Sequence, residues 1–124
     1  MEIKTYFFDT YALFEIISGN PNYRKYSYNI AIITTRLNLM ELYYGLLVKH
    51  GNETADRYYD ELVKFSIDVT DEIIKQAMVF RHINKGKNLS YVDCVGYVMA
   101  KSRNIKFLTG DKEFEGMDNV EFVK

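Results

Sequence analysis

One cysteine and one proline stand in a chain of 124 residues. A lone thiol closes no internal disulfide and builds no thiolate zinc cluster, so a disulfide scaffold and a structural zinc module are both excluded. Cys94 falls inside an apolar helical pattern, and it is expected as a small buried core residue in a reducing cytoplasm. No Pro-, Gly- or Ser-rich stretch marks a linker, and no tract is of low complexity. Residues 1–124 are therefore expected to form a single domain, long enough for a real core and too short for two. The longest apolar stretches, such as Ile30–Ile33, are far below the roughly 20 residues a membrane helix needs, so a soluble protein with no membrane partner is expected. The opening residues Met1–Thr5 lack a basic region followed by a long apolar run, and no signal peptide is expected. The two histidines, His50 and His82, lack the spacing of metal ligands and are expected at the surface, outside any catalytic role.

Neither sign of charge dominates: the formal net charge is −1, with 48% hydrophobic and 27% charged residues, a globular composition. The distribution says more than the total. From Ile73 to Gly110 the chain carries seven Lys or Arg (Lys75, Arg81, Lys85, Lys87, Lys101, Arg103 and Lys106) against one acid, Asp93, a net +6. The last fourteen residues hold five acids against two lysines. A basic helix pair beside an acidic cluster suits a protein that holds phosphates with one surface and cations with another, although solvated helix faces give the same pattern.

Strands and helices alternate along the chain. Thr5–Phe8 reads as a strand, followed by a helix from Thr10 to about Ser18 that the breaker Gly19-Asn-Pro stops. Asn29–Thr34 suits a buried strand, Thr35 to His50 a helix ended by Gly51, and Glu53–Phe65 a more amphipathic helix. Ser66–Val69 is a short strand candidate. Thr70 caps a helix through about Lys85 that Gly86 ends, and a further helix runs from Ser90 to about Arg103. Ile105–Thr109 and Val120–Val123 are strands around a short turn or helix at Asp111–Phe114. This alternation implies crossover connections and an α/β fold with a mostly parallel sheet.

Four carboxylates stand where such a fold would gather them. Asp9 and Asp111 each follow a strand, and the carboxyl ends of strands in an open α/β sheet line the crevice where ligands bind. Glu41 and Asp93 lie in helical patterns. Three of the four have an ordinary alternative explanation, since an aspartate before a helix is a common N-cap and Ser90 with Asp93 three residues on fits a capping box. Glu41 shares a helical row with Leu37, Tyr44 and Val48, which places its charge on an apolar side, where a cation, a basic partner or protonation must compensate it. Asn38, one turn earlier, can steady Glu41 or a metal-bound water. If all four acids converge, their repulsion calls for one or two divalent cations, and oxygen ligands suit Mg²⁺ better than Zn²⁺. A cation so held activates water for attack on phosphorus.

The stretches Phe7–Leu13 (FFDTYAL), Asn38–Gly45 (NLMELYYG), Leu89–Asp93 (LSYVD) and Leu108–Phe114 (LTGDKEF) resemble, in order and spacing, the motifs of PIN-domain ribonucleases, and the resemblance spans essentially the whole chain. At this length the chain is most similar to the VapC toxins of VapBC toxin–antitoxin pairs. The resemblance implies a PIN-like fold, a central mostly parallel sheet flanked by helices. It also implies an endoribonuclease dependent on Mg²⁺ or Mn²⁺. Asp9, Glu41, Asp93 and Asp111 map to the acidic set as metal ligands and catalytic residues, with Thr10, Asn38 and Thr109 accessory to them. The implied partners are RNA, a cognate antitoxin protein and a second copy in a homodimer. Where a small residue, often alanine, follows the third acid in the family, this chain has Cys94, Val95, Gly96 and Tyr97. Gly96 keeps the space at a cost to the helix, and Tyr97 is expected to narrow or line the groove.

Most of the 11 tyrosines and 8 phenylalanines are expected in the core, with Tyr11, Tyr43, Tyr44 and Tyr91 as base-stacking candidates. A catalytically weak RNA-binding or interaction module is the alternative function, disfavoured by the retention of all four acids. A phospho-receiver or haloacid-dehalogenase-like phosphatase fits poorly, because the first strand ends in Asp9 and Thr10 without paired acids or an Asp-x-Asp, and no strand-end lysine is apparent.

Overall fold

β1, Lys4–Phe8, is aromatic and β-branched, the composition of a strand buried on both faces, and it is the strand around which the others assemble. In the computed structural model, which describes residues 2–124, β2 (Ile30–Ile33) lies on one side of β1 and β3 (Lys106–Thr109) on the other. β4 (Val120–Phe122) pairs with β3, and the order β2-β1-β3-β4 is parallel throughout. The register sets Phe7 beside Ile33 and Phe107, and Phe8 beside Leu108. Because the chain leaves β1 toward β2 and returns on the other flank as β3, the order reverses at β1, and the crevice of a parallel sheet opens there.

Side chains of β1 alternate between two cores. Tyr6 and Phe8 join Leu108 under α1 (Thr10–Ser18), α2 (Arg36–His50) and α3 (Asn52–Leu62), where Leu13, Leu39, Leu42 and Leu46 are buried. Phe7 and Phe107 face the opposite layer, α4 (Asp71–Ile83) and α5 (Tyr91–Ser102), with Cys94, Tyr97 and Phe114. Cys94 is fully buried, as its sequence context implies. α5 lies close against the sheet because Gly96 has no side chain: a Cβ there would stand 2.9 Å from Phe7 Cε1 and 3.1 Å from Phe107 Cε1. Thr35, Thr70 and Ser90 cap α2, α4 and α5 through their hydroxyl oxygens. Gly19, at φ 76°, ends α1 in the left-handed conformation that glycine adopts without strain.

Three expectations are corrected here. Ser66–Val69 forms no strand. Only a parallel bridge between Thr34 and Ser66 is made, with Ile67 N–H donating to Thr34 O at 2.9 Å. The Ser66 hydroxyl instead donates to Val63 O and closes the 3-10 turn Val63–Phe65, and Thr70 already starts a helix, so no length is left for a ladder. α4 stops at Ile83, before Lys85 and Gly86, because Asn84 leaves helical geometry at φ −104° and ψ 30° and caps the end with its side-chain amide donating to Phe80 O at 2.9 Å. β2 is half-buried along its length, as the edge strand of the sheet. Among the described residues, no helix is long and apolar enough to cross a membrane.

Candidate functional site

All four acids lie at or beside the carboxyl edge of the sheet, and the chain's own capping chemistry aims them. Asp9 follows β1 directly, its N–H donating to Leu108 O of β3 at 3.3 Å, so it sits where the strand order reverses. Its Oδ1 accepts from Ala12 N–H at 2.8 Å, which makes it the N-cap of α1. Asp111 Oδ1 accepts from Glu113 N–H at 3.0 Å and starts the 3-10 turn Lys112–Phe114. Asp93 Oδ2 accepts from Ser90 N–H at 2.9 Å while Ser90 Oγ accepts from Asp93 N–H at 3.0 Å, a complete capping box. The cap readings weighed from sequence are therefore all realised, and capping occupies one oxygen of each. The second oxygens of Asp93 and Asp111 stand outside these bonds.

Glu41 is held by a directed hydrogen-bond chain. Thr35 Oγ1 donates to Asn38 Oδ1 at 2.7 Å, Asn38 Nδ2 donates to Thr10 Oγ1 at 3.2 Å, and Thr10 Oγ1 donates to Glu41 Oε1 at 2.6 Å. Thr10 and Asn38 thus act on Glu41 as positioning residues, and Asn38 is buried for that purpose. The third accessory residue, Thr109, acts on two acids: its oxygen accepts from Asp111 N–H at 3.0 Å, and its side chain holds the Asp9 carboxyl down against burial. Sequence reading missed two hydroxyls. Thr35 begins the chain to Glu41, and Thr34 Oγ1 donates to Phe8 O at 2.9 Å, pinning the carbonyl just before Asp9. The signal available for Thr35 was a threonine directly before a helix whose third residue is Asn38.

Electrostatics tie the four together. Asp9 is 3% exposed, and burial pushes its carboxyl up to about 8, against the lowering effect of Thr109 and the Ala12 N–H; the charges of Asp93 and Asp111 add to the rise. Glu41 is raised by burial and by Asp93, with Thr10 opposing. Asp93 is raised by burial and by Asp111, with the Ser90 bonds opposing. Each acid thus shares the field of at least one other, and the one ion pair among the described residues, Lys101–Asp118, involves none of them. The basic partner weighed for Glu41 is absent from these contacts. The carboxylates do not close into a cage: among the described residues, no three His, Cys, Asp or Glu are set to hold a metal as they stand. An open, oxygen-only crevice with the buried Asp9 carboxyl, which has no basic partner among these contacts, fits a hard cation that keeps part of its water shell.

Two expectations about the surroundings are corrected. Tyr44 and Val48 are 69% and 68% exposed, so the row bearing Glu41 is not an apolar buried face. α2 buries Leu39, Leu42 and Leu46 instead, and Glu41 is half-buried, its carboxylate held by the Thr10 hydroxyl. Tyr97 does not line the groove: it is buried against Phe80, Phe107 and Phe114, with its hydroxyl donating to Asp118 O at 2.6 Å. A glycine at position 96 brings the helix so close to the sheet that the next residue is drawn into the core. Of the stacking candidates, Tyr11 packs on Tyr23, Tyr43 bonds Asn52 and Asp56, and Tyr44 and Tyr91 are open to solvent. His50 and His82 are both exposed, each in the last turn of its helix.

The fold is shared with solved proteins. The chain is similar to VapC20 of Mycobacterium tuberculosis, a sarcin–ricin-loop-cleaving toxin, with a TM-score of 0.78 at 18% identity over 96% of this chain and 99% of that one. It is similar to a chain of the DNA-bound VapBC complex of Salmonella typhimurium, TM-score 0.73 at 20% identity over 96% of both chains. A chain of the Rickettsia felis VapBC2 complex with a promoter DNA fragment gives a TM-score of 0.72 at 19% identity over 97% and 99%. Comparison of the sequence with curated proteins gives no match. The PIN domain family model matches residues 6–120, from within β1 to the start of β4 and across all four acids, and the chain belongs to the PIN domain family.

Proposed function

We propose that this PIN domain is a divalent-metal-dependent endoribonuclease, hydrolysing RNA phosphodiester bonds and acting as the toxin of a toxin–antitoxin pair in the cytoplasm. The observation that carries the reading is Asp9: a carboxylate 3% exposed, raised to about 8, at the strand-order reversal, sharing its field with two further acids. A protein keeps such a group where its charge is used. Asp9, Glu41, Asp93 and Asp111 would hold Mg²⁺ or Mn²⁺, which when bound lowers the pKa of water and stabilises charge on phosphate. The chain's part is to aim one oxygen of each capping aspartate by its cap and to hold Glu41 through Thr35, Asn38 and Thr10. The basic segment Ile73–Gly110, net +6, supports phosphate binding beside the acids.

The structural neighbours from VapBC complexes favour an antitoxin as partner, and the acidic crevice suits an inhibitor segment that lays a basic side chain against the carboxylates. Met40, Tyr44, Leu47 and Val48, exposed along α2, suit a homodimer contact. The open arrangement of the acids equally suits a catalytically weak RNA-binding module, so cleavage decides. Purified protein incubated with a mixed RNA pool and Mg²⁺ or Mn²⁺ is expected to cut internally, and excess chelator to stop it. Binding without cleavage under any divalent ion would favour the weak module.

A further inference from the structure

Tyr91 is 64% exposed although it stands two residues before Asp93, at the first position of α5. An aromatic ring held in water beside a polar crevice has no role in the core. One of its faces is already covered: the Arg81 guanidinium lies over the ring with Cζ 4.6 Å from the centroid. Arg81 is itself fixed, its Nε–H donating to Leu89 O at 3.2 Å in the loop that leads into α5. The loop is in turn fastened to the segment after Asp111, with Lys87 Nζ donating to Glu113 O at 3.1 Å and Asn88 N–H donating to Glu113 Oε1 at 2.8 Å. These contacts tie the start of α5, which carries Tyr91 and Asp93, to the turn that follows Asp111.

We propose that Tyr91, braced by Arg81, is a nucleobase platform that seats one unpaired base of a single-stranded RNA beside the acids and so sets where the strand enters the site. The open face of the ring takes the base. The covered face carries a cation whose attraction is shared through the stack, and the brace removes rotamer freedom that binding would otherwise have to remove. A stacked base must be unpaired, so the platform selects single strands or loops over duplex. The inference rests on the nuclease reading for its ligand, but it concerns binding and not hydrolysis.

The test is equilibrium binding of short fluorescent single-stranded RNA to the full protein in excess chelator, where no metal-dependent cleavage intervenes. Tyr91→Ala should weaken binding about tenfold, Tyr91→Phe should retain it, and Tyr28→Ala, at a ring 63% exposed before β2 and so at the opposite edge of the sheet, should change nothing. A series of RNAs each carrying one abasic position should show one position that matters to the wild type and ceases to matter in Tyr91→Ala, which a merely structural tyrosine would not produce. Because the chain has no tryptophan, Tyr91→Trp adds a single reporter, expected to be quenched by RNA and not by duplex. Wild-type affinity in a folded Tyr91→Ala, or an abasic series identical for both proteins, would overturn the platform and leave the nuclease reading standing. Failure of the wild type to bind any single-stranded RNA in chelator would likewise overturn the platform, while the nuclease reading is decided separately by cleavage with Mg²⁺ or Mn²⁺.

Discussion

Asp9→Asn keeps the shape of the buried carboxylate and removes its charge. The Asn oxygen can still accept from Ala12 N–H, so the cap is preserved. What changes is the pH dependence. With a folded-state pKa raised from 3.8 to about 8, the native protein binds more protons than the unfolded chain between those values. Stability then falls as pH rises through the window, the reverse of an ion-paired aspartate. The whole shift corresponds to a ceiling of about 6 kcal/mol at 1.36 kcal/mol per unit. Water admitted beside the ionised group relaxes part of that, leaving an expected gain for Asp9→Asn of about 2 kcal/mol at pH 8.5. Near pH 4 the wild-type carboxyl is protonated and the two proteins should melt together. Thermal melts by circular dichroism in excess chelator at both pH values measure this, with roughly 6–10 °C expected at pH 8.5. Asp9→Asn less stable than wild type by the same amount at both pH values would show a simple N-cap with no stored charge.

Glu41→Gln retains an oxygen for the Thr10 hydroxyl and loses the charge, so melts should change by less than about 1 kcal/mol while RNA cleavage falls at least about a hundredfold. Asn38→Ala leaves the buried Thr35 hydroxyl without its acceptor and Thr10 without the amide that orients it, and should cost about 1–3 kcal/mol, with slower cleavage from a loosened Glu41, read by melts and initial rates together. Gly110→Ala would drive a methyl into the Tyr11 ring and the Val123 carbonyl, so denaturant unfolding should show a loss of about 2 kcal/mol or more, with cleavage reduced because Asp111 is the next residue.

Much of this site was legible because strand ends and caps leave local signatures. Thr5–Phe8 and Ile105–Thr109 read as strands from their branched and aromatic residues, and each is followed by the acid the fold places at its edge. The cap of α5 was legible from Ser90 and Asp93 alone. What could not be read is which helical row faces the core, since α2 is apolar on most sides. The row through Leu37, Glu41, Tyr44 and Val48 and the row through Leu39, Leu42 and Leu46 compete on equal terms until α1 and α3 are placed, and the structure buries the second. Tyr97 was misread for a related reason: its fate depends on how closely Gly96 lets α5 approach Phe7 and Phe107, a tertiary distance. The links from Thr35 to Glu41 through Thr10 join residues 28 and 31 positions apart, beyond any local pattern.

We read Asp9, Glu41, Asp93 and Asp111, from separate elements, as one cation site. Calorimetric titration of Mn²⁺ into the metal-free protein tests it most directly, set beside the same titration of Asp9→Asn, Glu41→Gln, Asp93→Asn and Asp111→Asn. Saturable binding by the wild type is expected, weakened about tenfold or more in each of the four, including Asp93→Asn, whose cap should survive. Four variants that bind Mn²⁺ as the wild type does would contradict it, leaving three caps and a half-buried glutamate bonded to Thr10.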